Sequence, residues 1–422
     1  MRDNLKNYRP LFFGLALIMV GNGLQGTLLS VRADIEGFST LTTGLIMSLY
    51  YAGFLAGSIF APKLVSNVGH IRVFSALASL ASAMTLFHGA FVDPVSWAAA
   101  RVITGFCFAG IYIVIESWLN DVSNNDNRGQ ILGTYLFVFY GAMVAGQYLL
   151  NVASPEDIEL FIIVSVLVSL ALLPISLSKR PAPEFSEPEP ASIKDVYTAS
   201  PLGVVGVCVS GLTVGIFFAM GPVFANQSGF TIAQTANFMA CFVMGGMLAQ
   251  VPIGYLSDRI ERRKVIITVS ILACIASFLC YFSSGHQTLI YAMAMFLGAS
   301  SLSIYGLCVA YTNDHLPAKK YVAASARLIL LNGSAALVGP LLAAGFMTLF
   351  GFQIFFVVIG VIFTFITLFA LYRTNVSDAV AMEDQVDYMS VSPRATPFLA
   401  QIAEEDILYP EETEARQNRP DD

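Results

Sequence analysis

Charge is what this sequence has least of. Only 12% of its 422 residues are Asp, Glu, Lys or Arg, and 56% are hydrophobic. A soluble globular domain carries about 25% charged residues, so an ordinary water-soluble fold is excluded. With 22 basic residues and a net charge of −7 there is no basic surface for nucleic acid, and no such partner is expected. Cysteine is sparse: six residues, all inside apolar runs, with no metal-ligand spacing and no exterior pair suited to a disulfide. The four histidines are scattered, without an H-E-x-x-H or similar motif. No G-x-x-x-x-G-K-[ST] stretch exists, so ATP is not expected to be a direct energy source. Intramembrane catalysis would need a clustered acid–base or metal set, which is missing. We therefore expect no enzyme activity and no cofactor.

What the chain has is apolar length. Runs of roughly 20 residues, enough to cross ~30 Å of hydrocarbon as helices, recur along it. They predict spans at 11–31, 42–62, 72–92, 96–118, 129–150 and 158–177, then at 202–225, 232–256, 265–284, 288–311, 322–348 and 352–372. The first is too long and too well continued for a cleaved signal peptide. The expected fold is an all-α polytopic membrane protein of twelve helices. Its expected parts are a six-helix bundle over 1–178, a linker over 179–200, a second bundle over 201–373 and a tail over 374–422. The linker core, KRPAPEFSEPEPASIKD, is rich in proline and charge and reads as hydrated chain. The tail holds 12 acidic and 3 basic residues, whereas the rest of the chain is close to neutral. It reads as solvated and disordered cytoplasmic chain.

The two bundles repeat. At an offset of 192, Gly14 matches Gly206, Gly23 matches Gly215, Gly53 matches Gly245, and GFSTLTTGLIM (37–47) matches GFTIAQTANFM (229–239). One residue later in register, Ile111-Tyr112 matches Ile304-Tyr305 and Asn120-Asp121 matches Asn313-Asp314. An even number of spans per unit gives both copies the same orientation, a parallel repeat about an axis along the membrane normal. With both termini in the cytoplasm, 19 of the 22 basic residues fall in cytoplasmic segments. The excess of Lys and Arg on one side predicts that orientation, in a plasma (bacterial inner) membrane.

One cytoplasmic loop, GYLSDRIERRK (254–264), packs six charges into seven residues, and its counterpart PKLVSNVGHIR has Ser66 where Asp258 stands. This loop resembles the G-x-x-x-D-R-x-x-R-R loop between helices 8 and 9 of the major facilitator superfamily. ARVITGFCFAG (100–110) is similar to that superfamily's helix-4 motif, and the likeness covers residues 8–373. ESWLN (116–120) and NRGQILGTY (127–135) resemble its YcaD-like branch. The resemblance implies a secondary transporter working by alternating access. Spans 1, 4, 7 and 10 would line a central site, and spans 4, 5, 10 and 11 would close it on the cytoplasmic side. It also implies that Asp258, Arg259 and Arg262 form a conformational latch against Arg128 at the start of span 5, with Ser66 as a weaker counterpart. Drug antiporters of the superfamily carry a Gly-Pro motif on span 5. Here span 5 reads GAMVAGQYLL, and Gly339-Pro340 stands on span 11 instead.

Charge inside a membrane costs at least ~2.5–3.5 kcal/mol per residue at mid-helix, so each such residue is a functional candidate. On span 4, Arg101, Gly105, Phe108, Tyr112 and Glu116 fall within an arc of roughly 80°. Arg101 can grip an anion in two-pronged fashion. Glu116 is expected to carry a proton, or to pair with Arg327 of span 11 at a cytoplasmic gate. Asn22, Gln25, Tyr112, Gln147, Tyr305 and Asn332 complete the expected cavity set; each reads equally well as interhelical glue. Gly53 and Gly57 read as close-packing contacts. The expected partners are a small organic solute, H+ and the lipid bilayer, and the chain is expected to act as a monomer. Efflux of amphipathic drugs, sodium coupling, and a sensor built on a transporter fold stay open on sequence alone.

Overall fold

A computed structural model of the chain describes residues 2–121, 123, 127–176, 192–283, 286–317, 320–376, 380–386, 388, 392 and 393. Its helices are α1 (Arg2–Ile35), α2 (Thr40–Val68), α3 (His70–Ala90), α4 (Pro94–Asp121), α5 (Arg128–Leu149), α6 (Glu159–Leu170), α7 (Leu172–Ser176) and α8 (Ile193–Ala199). They continue with α9 (Pro201–Gln227), α10 (Ile232–Ser257), α11 (Arg262–Phe282), α12 (Gln287–Asn313), α13 (Tyr321–Phe350) and α14 (Ile354–Thr374). No strand occurs among the described residues. Eleven of these helices are long and apolar enough to cross a membrane. The sixth predicted span is split into α6 and α7 at Ala171. Pro174 accounts for the break, since it cannot donate an N–H to the Leu170 carbonyl.

Helix ends follow local chemistry. Ser39 caps α2 by accepting the Thr42 N–H, and Thr231 caps α10 in a reciprocal box with Gln234. These caps are repeat-equivalent, so the two loops that lead from α1 to α2 and from α9 to α10 end in the same way. Most of the linker lies outside the described residues, but its last turn is helical, as α8.

Each half is held by the same crossings. α4 packs on α2, α12 on α10, α5 on α1 and α13 on α9. A Cβ on Gly53 would fall on the Val102 carbonyl, and one on Gly105 on the Tyr50 carbonyl. Their counterparts Gly245 and Gly298 face the carbonyls of Met295 and Phe242 in the same manner. Gly57 also lies against the Phe106 carbonyl, so both glycines of that pair are packing contacts. Between the halves, α2 packs on α13 and α5 on α10, and among the described residues α4 shows no comparably extensive packing on α12 or α13.

Call the end that carries the 258–264 loop the inner end. The outer end is closed across the halves. Asp34 of α1 accepts hydrogen bonds from the amides of Asn226 and Gln227 on α9. Gln227 also donates to Thr40 Oγ1 at 3.2 Å, and Ser30 Oγ donates to the Ala219 carbonyl at 2.9 Å. Asp34 and Asn226 are themselves repeat-equivalent, so this contact lies beside the pseudo-twofold axis.

Candidate functional site: a central cavity behind a closed outer end

Beneath the outer closure lies a cavity lined by Asn22, Gln25, Thr27, Tyr50, Arg101 and Phe218, among others. It draws on α1, α2, α4, α5 and α9, three of them among the helices expected to line a central site. Arg101 is buried, and its guanidinium carbon stands 4.3 Å from the centre of the Tyr50 ring. The ring's quadrupole attracts the guanidinium and so offsets part of the hydration that burial removes. Tyr50 Oη accepts a hydrogen bond from Asn22 Nδ2 at 3.2 Å, and Gln25 Nε2 donates to Thr85 Oγ1 at 2.9 Å. The arrangement brings a cation, amide groups and an aromatic wall to one small space. Tyr50 and Tyr51 also line a second, more apolar compartment on the inner side, with Phe54, Asn332 and Gly333.

Tyr50 was not anticipated. Its signal was nonetheless in the sequence: Tyr50 and Gly53 share a face of α2, Arg101 and Gly105 share a face of α4, and the glycines mark where those faces cross.

Other expected cavity residues separate into different roles. Gln147 accepts from Thr27 Oγ1 at 2.6 Å and donates to the Gly23 carbonyl at 2.9 Å, tying α5 to α1. Asn332 donates to the Val207 carbonyl at 3.0 Å, tying α13 to α9, while also lining the inner compartment. Tyr112 is fully buried among Phe54, Phe108 and Phe139, with its hydroxyl 3.8 Å from Met19 Sδ. Tyr305 is buried in α12.

Glu116 has no solvent exposure, and its Oε1 accepts a 2.6 Å hydrogen bond from Tyr135 Oη of α5. Tyr135 lies in the NRGQILGTY stretch, but no role was assigned to it from sequence. Arg327 is half-buried on α13.

The inner-end loop is organised around Arg262. Its side chain is almost wholly buried, and Nη1 bonds both carboxylate oxygens of Asp314, at 2.5 and 2.6 Å. Nη2 reaches Asp258 at 3.2 Å and the Val386 carbonyl at 2.6 Å. Asp258 also accepts the Tyr388 N–H at 2.8 Å. In this structure Asp258 thus engages Arg262 and the tail rather than Arg128, which is buried at the start of α5. Arg259 is exposed and stacks on Tyr255 at 4.0 Å. Burial raises the Asp314 carboxyl above the ordinary aspartate value, and Arg262 pulls it partly back. The sequence alone marks Asp314 only as the repeat partner of Asp121.

The first half lacks this device. Ser66 is exposed, and its hydroxyl donates to the Lys63 carbonyl of its own helix at 3.0 Å. His70 stands where Arg262 does and stacks on Trp118, ring centres 6.2 Å apart.

The near end of the tail also departs from the solvated chain expected of its composition. Val386 and Tyr388 are half-buried and Ser392 and Pro393 are buried. The main chain of Val386 and Tyr388 binds charged groups of the bundle, and that offsets the cost of leaving water.

Two six-helix units related by an internal repeat, crossing a membrane around a polar cavity, define a polytopic membrane transporter. The chain belongs to the Major Facilitator Superfamily, whose profile matches residues 11–239 and 202–383. It is 27% identical over 361 residues to an uncharacterised MFS-type transporter of Yersinia enterocolitica, covering 83% of this chain and 91% of the relative. It is also 27% identical over 366 residues to the uncharacterised MFS-type transporter YcaD of Escherichia coli, covering 86% and 94%. Among solved structures, the nucleoside transporter NupG (D323A mutant) matches with a TM-score of 0.75 at 10% identity, covering 87% of this chain and 99% of that one. A bacterial homologue of the human lysosomal transporter Spinster, inward-facing and unoccupied, matches with a TM-score of 0.71 at 15% identity, covering 90% and 98%. At such identities the structural likeness speaks to fold alone.

Proposed function

We propose that the chain moves a small organic anion or polar solute across the bacterial inner membrane by alternating access, driven by protons, with both termini in the cytoplasm. The observation that carries this reading is Arg101, a buried cation facing a cavity that is closed on the outer side. A carboxylate or similar anion entering from the inner side would meet the guanidinium, the Asn22 and Gln25 amides and the Tyr50 ring together.

Glu116 supplies the coupling in this proposal. Arg327 on α13 is the cation it would meet: when the inner ends of α4 and α13 close in the outward-facing state, the ion pair forms and the proton leaves. When they separate, Glu116 takes up a proton and keeps its bond to Tyr135. Asp258 would turn to the start of α5 in the same closure.

Proteoliposomes with an imposed pH gradient test the proposal against a panel of small organic anions and nucleosides. Accumulation should require the gradient and vanish with a protonophore. Glu116→Gln should abolish uphill accumulation while leaving solute exchange, and Arg101→Ala should abolish both solute-induced thermal stabilisation and transport. Accumulation that survives the protonophore but needs sodium would overturn proton coupling.

A further inference from the structure

The tail enters the body of the molecule. Three charged side chains at the inner end of the second half hold it by its main chain. Arg262 donates to the Val386 carbonyl at 2.6 Å, Asp314 accepts the Val386 N–H at 3.0 Å, and Asp258 accepts the Tyr388 N–H at 2.8 Å. Main-chain bonds of this kind would suit many sequences. The Tyr388 side chain supplies the address: its ring lies over Gly254 and its hydroxyl against Gly306, where any Cβ would intrude, and the hydroxyl donates to Gln250 Oε1 at 3.3 Å.

A few residues on, Pro393 lines the inner compartment of the cavity with Tyr50, Phe54 and Ser58 of α2 and Asn332 of α13. Ser392 beside it is only 1% exposed. The tail is therefore fixed to α10, α11 and α12 at one point and to the space between α2 and α13 at another. Its described residues so bridge the halves at the inner end, touching α10 and α12 of the second half and α2 of the first. Any movement of the halves against one another there must displace that bridge.

We infer that the C-terminal tail, through Val386, Tyr388, Ser392 and Pro393, is a tethered plug of the inner mouth. It holds the molecule open inward, and it must withdraw before the halves can rock. The seat is a groove for an extended peptide carrying a tyrosine, and its resident occupant is this chain's own tail. The inference concerns occupancy of the mouth and stands whether or not the proposed solute and coupling ion are right.

Cysteine labelling reads the occupancy directly. Ser58→Cys places a small thiol on the wall of the compartment that Pro393 enters. In the purified full chain, labelling of this position by a polyethylene-glycol maleimide, followed by peptide mass spectrometry, should be slow. Tyr388→Ala, or ending the chain after Val376, should speed it on the order of tenfold or more. Tyr388→Phe, which keeps the ring, should stay slow. A synthetic peptide of residues 384–394, added at millimolar concentration to the shortened chain, should restore slow labelling, and the same peptide with Tyr388→Ala should not. Equal labelling rates in the full chain, Tyr388→Ala and the shortened chain would overturn the plug. So would a rate increase that the peptide fails to reverse, because the tail would then act otherwise than by filling the mouth.

Discussion

A guanidinium with almost no contact to water needs anions, and Arg262 has two within reach. They are not equivalent. The Asp258 side chain is about one-third exposed (34%), so its attraction is screened and worth ~0–1 kcal/mol. Asp314 is as buried as Arg262 itself, and removing one member of such a pair costs ~3–5 kcal/mol because the other charge is left behind. Asp314→Asn should therefore lower the unfolding temperature in detergent far more than Asp258→Asn, measured by the intrinsic fluorescence of a thermal ramp. The raised carboxyl of Asp314 means that its loss of solvation outweighs the attraction of Arg262. The pair thus fixes position more than it adds net stability. The folded protein keeps a proton that the unfolded chain has already shed. Stability should accordingly fall as pH rises from 3.8, the ordinary value, through the raised one, and be flat above it. Asp314→Asn should remove that slope.

Among the elements, the α2–α4 and α10–α12 crossings set the distance between helices on which both halves are built. At each crossing a glycine hydrogen faces a carbonyl oxygen of the other helix, and backbone cannot step aside as a side-chain tip can. Gly105→Ala and Gly298→Ala should each destabilise by at least ~1–3 kcal/mol, the range for overpacking. The two costs should be similar, since the crossings are repeat-equivalent. Chemical denaturation of the two variants side by side would check this, and a near-neutral Gly105→Ala would mean that α2 and α4 are held elsewhere. These crossings were legible in the sequence because helix length, apolar periodicity and the 192-residue offset are local or self-referential signals. The eleven long spans and the shorter, broken sixth were readable for that reason, and so were Gly53 and Gly57. Arg101 and Glu116 were conspicuous because a charge in an apolar run stands out. Tyr50, Tyr135 and Asp314 were not, because a tyrosine in an apolar helix or an aspartate at a helix end becomes special only once its neighbour is known. The docking of Val386 and Tyr388 was hidden for a different reason: their main chain makes the hydrogen bonds to the charged side chains, and composition says nothing about that.

At the scale of the whole molecule, the proposed alternation needs the outer closure to break when the inner end closes. The closure is small: Asp34 with Asn226 and Gln227, and Ser30 with the Ala219 carbonyl. Bonds to a charged acceptor contribute ~1.5–3 kcal/mol, and ~1.4 kcal/mol shifts an equilibrium tenfold. Asp34→Ala should thus move the population toward an open outer end by roughly ten- to hundredfold, with little change in the fold, because Asp34 is half-exposed at the end of α1. A cysteine at Ala219, which lines the polar cavity just inside the closure, reports the change. Its reaction with a membrane-impermeant maleimide added from the outer side should accelerate in Asp34→Ala and stay near the parent rate in Asp34→Asn, which can still accept both amide hydrogens. Acceleration in both variants would mean that the negative charge itself, and so its protonation, holds the outer end shut. No acceleration in either would place the closing energy in the apolar packing of α2 on α13, where Gly44 meets Ala344, and would remove the polar closure from the transport cycle.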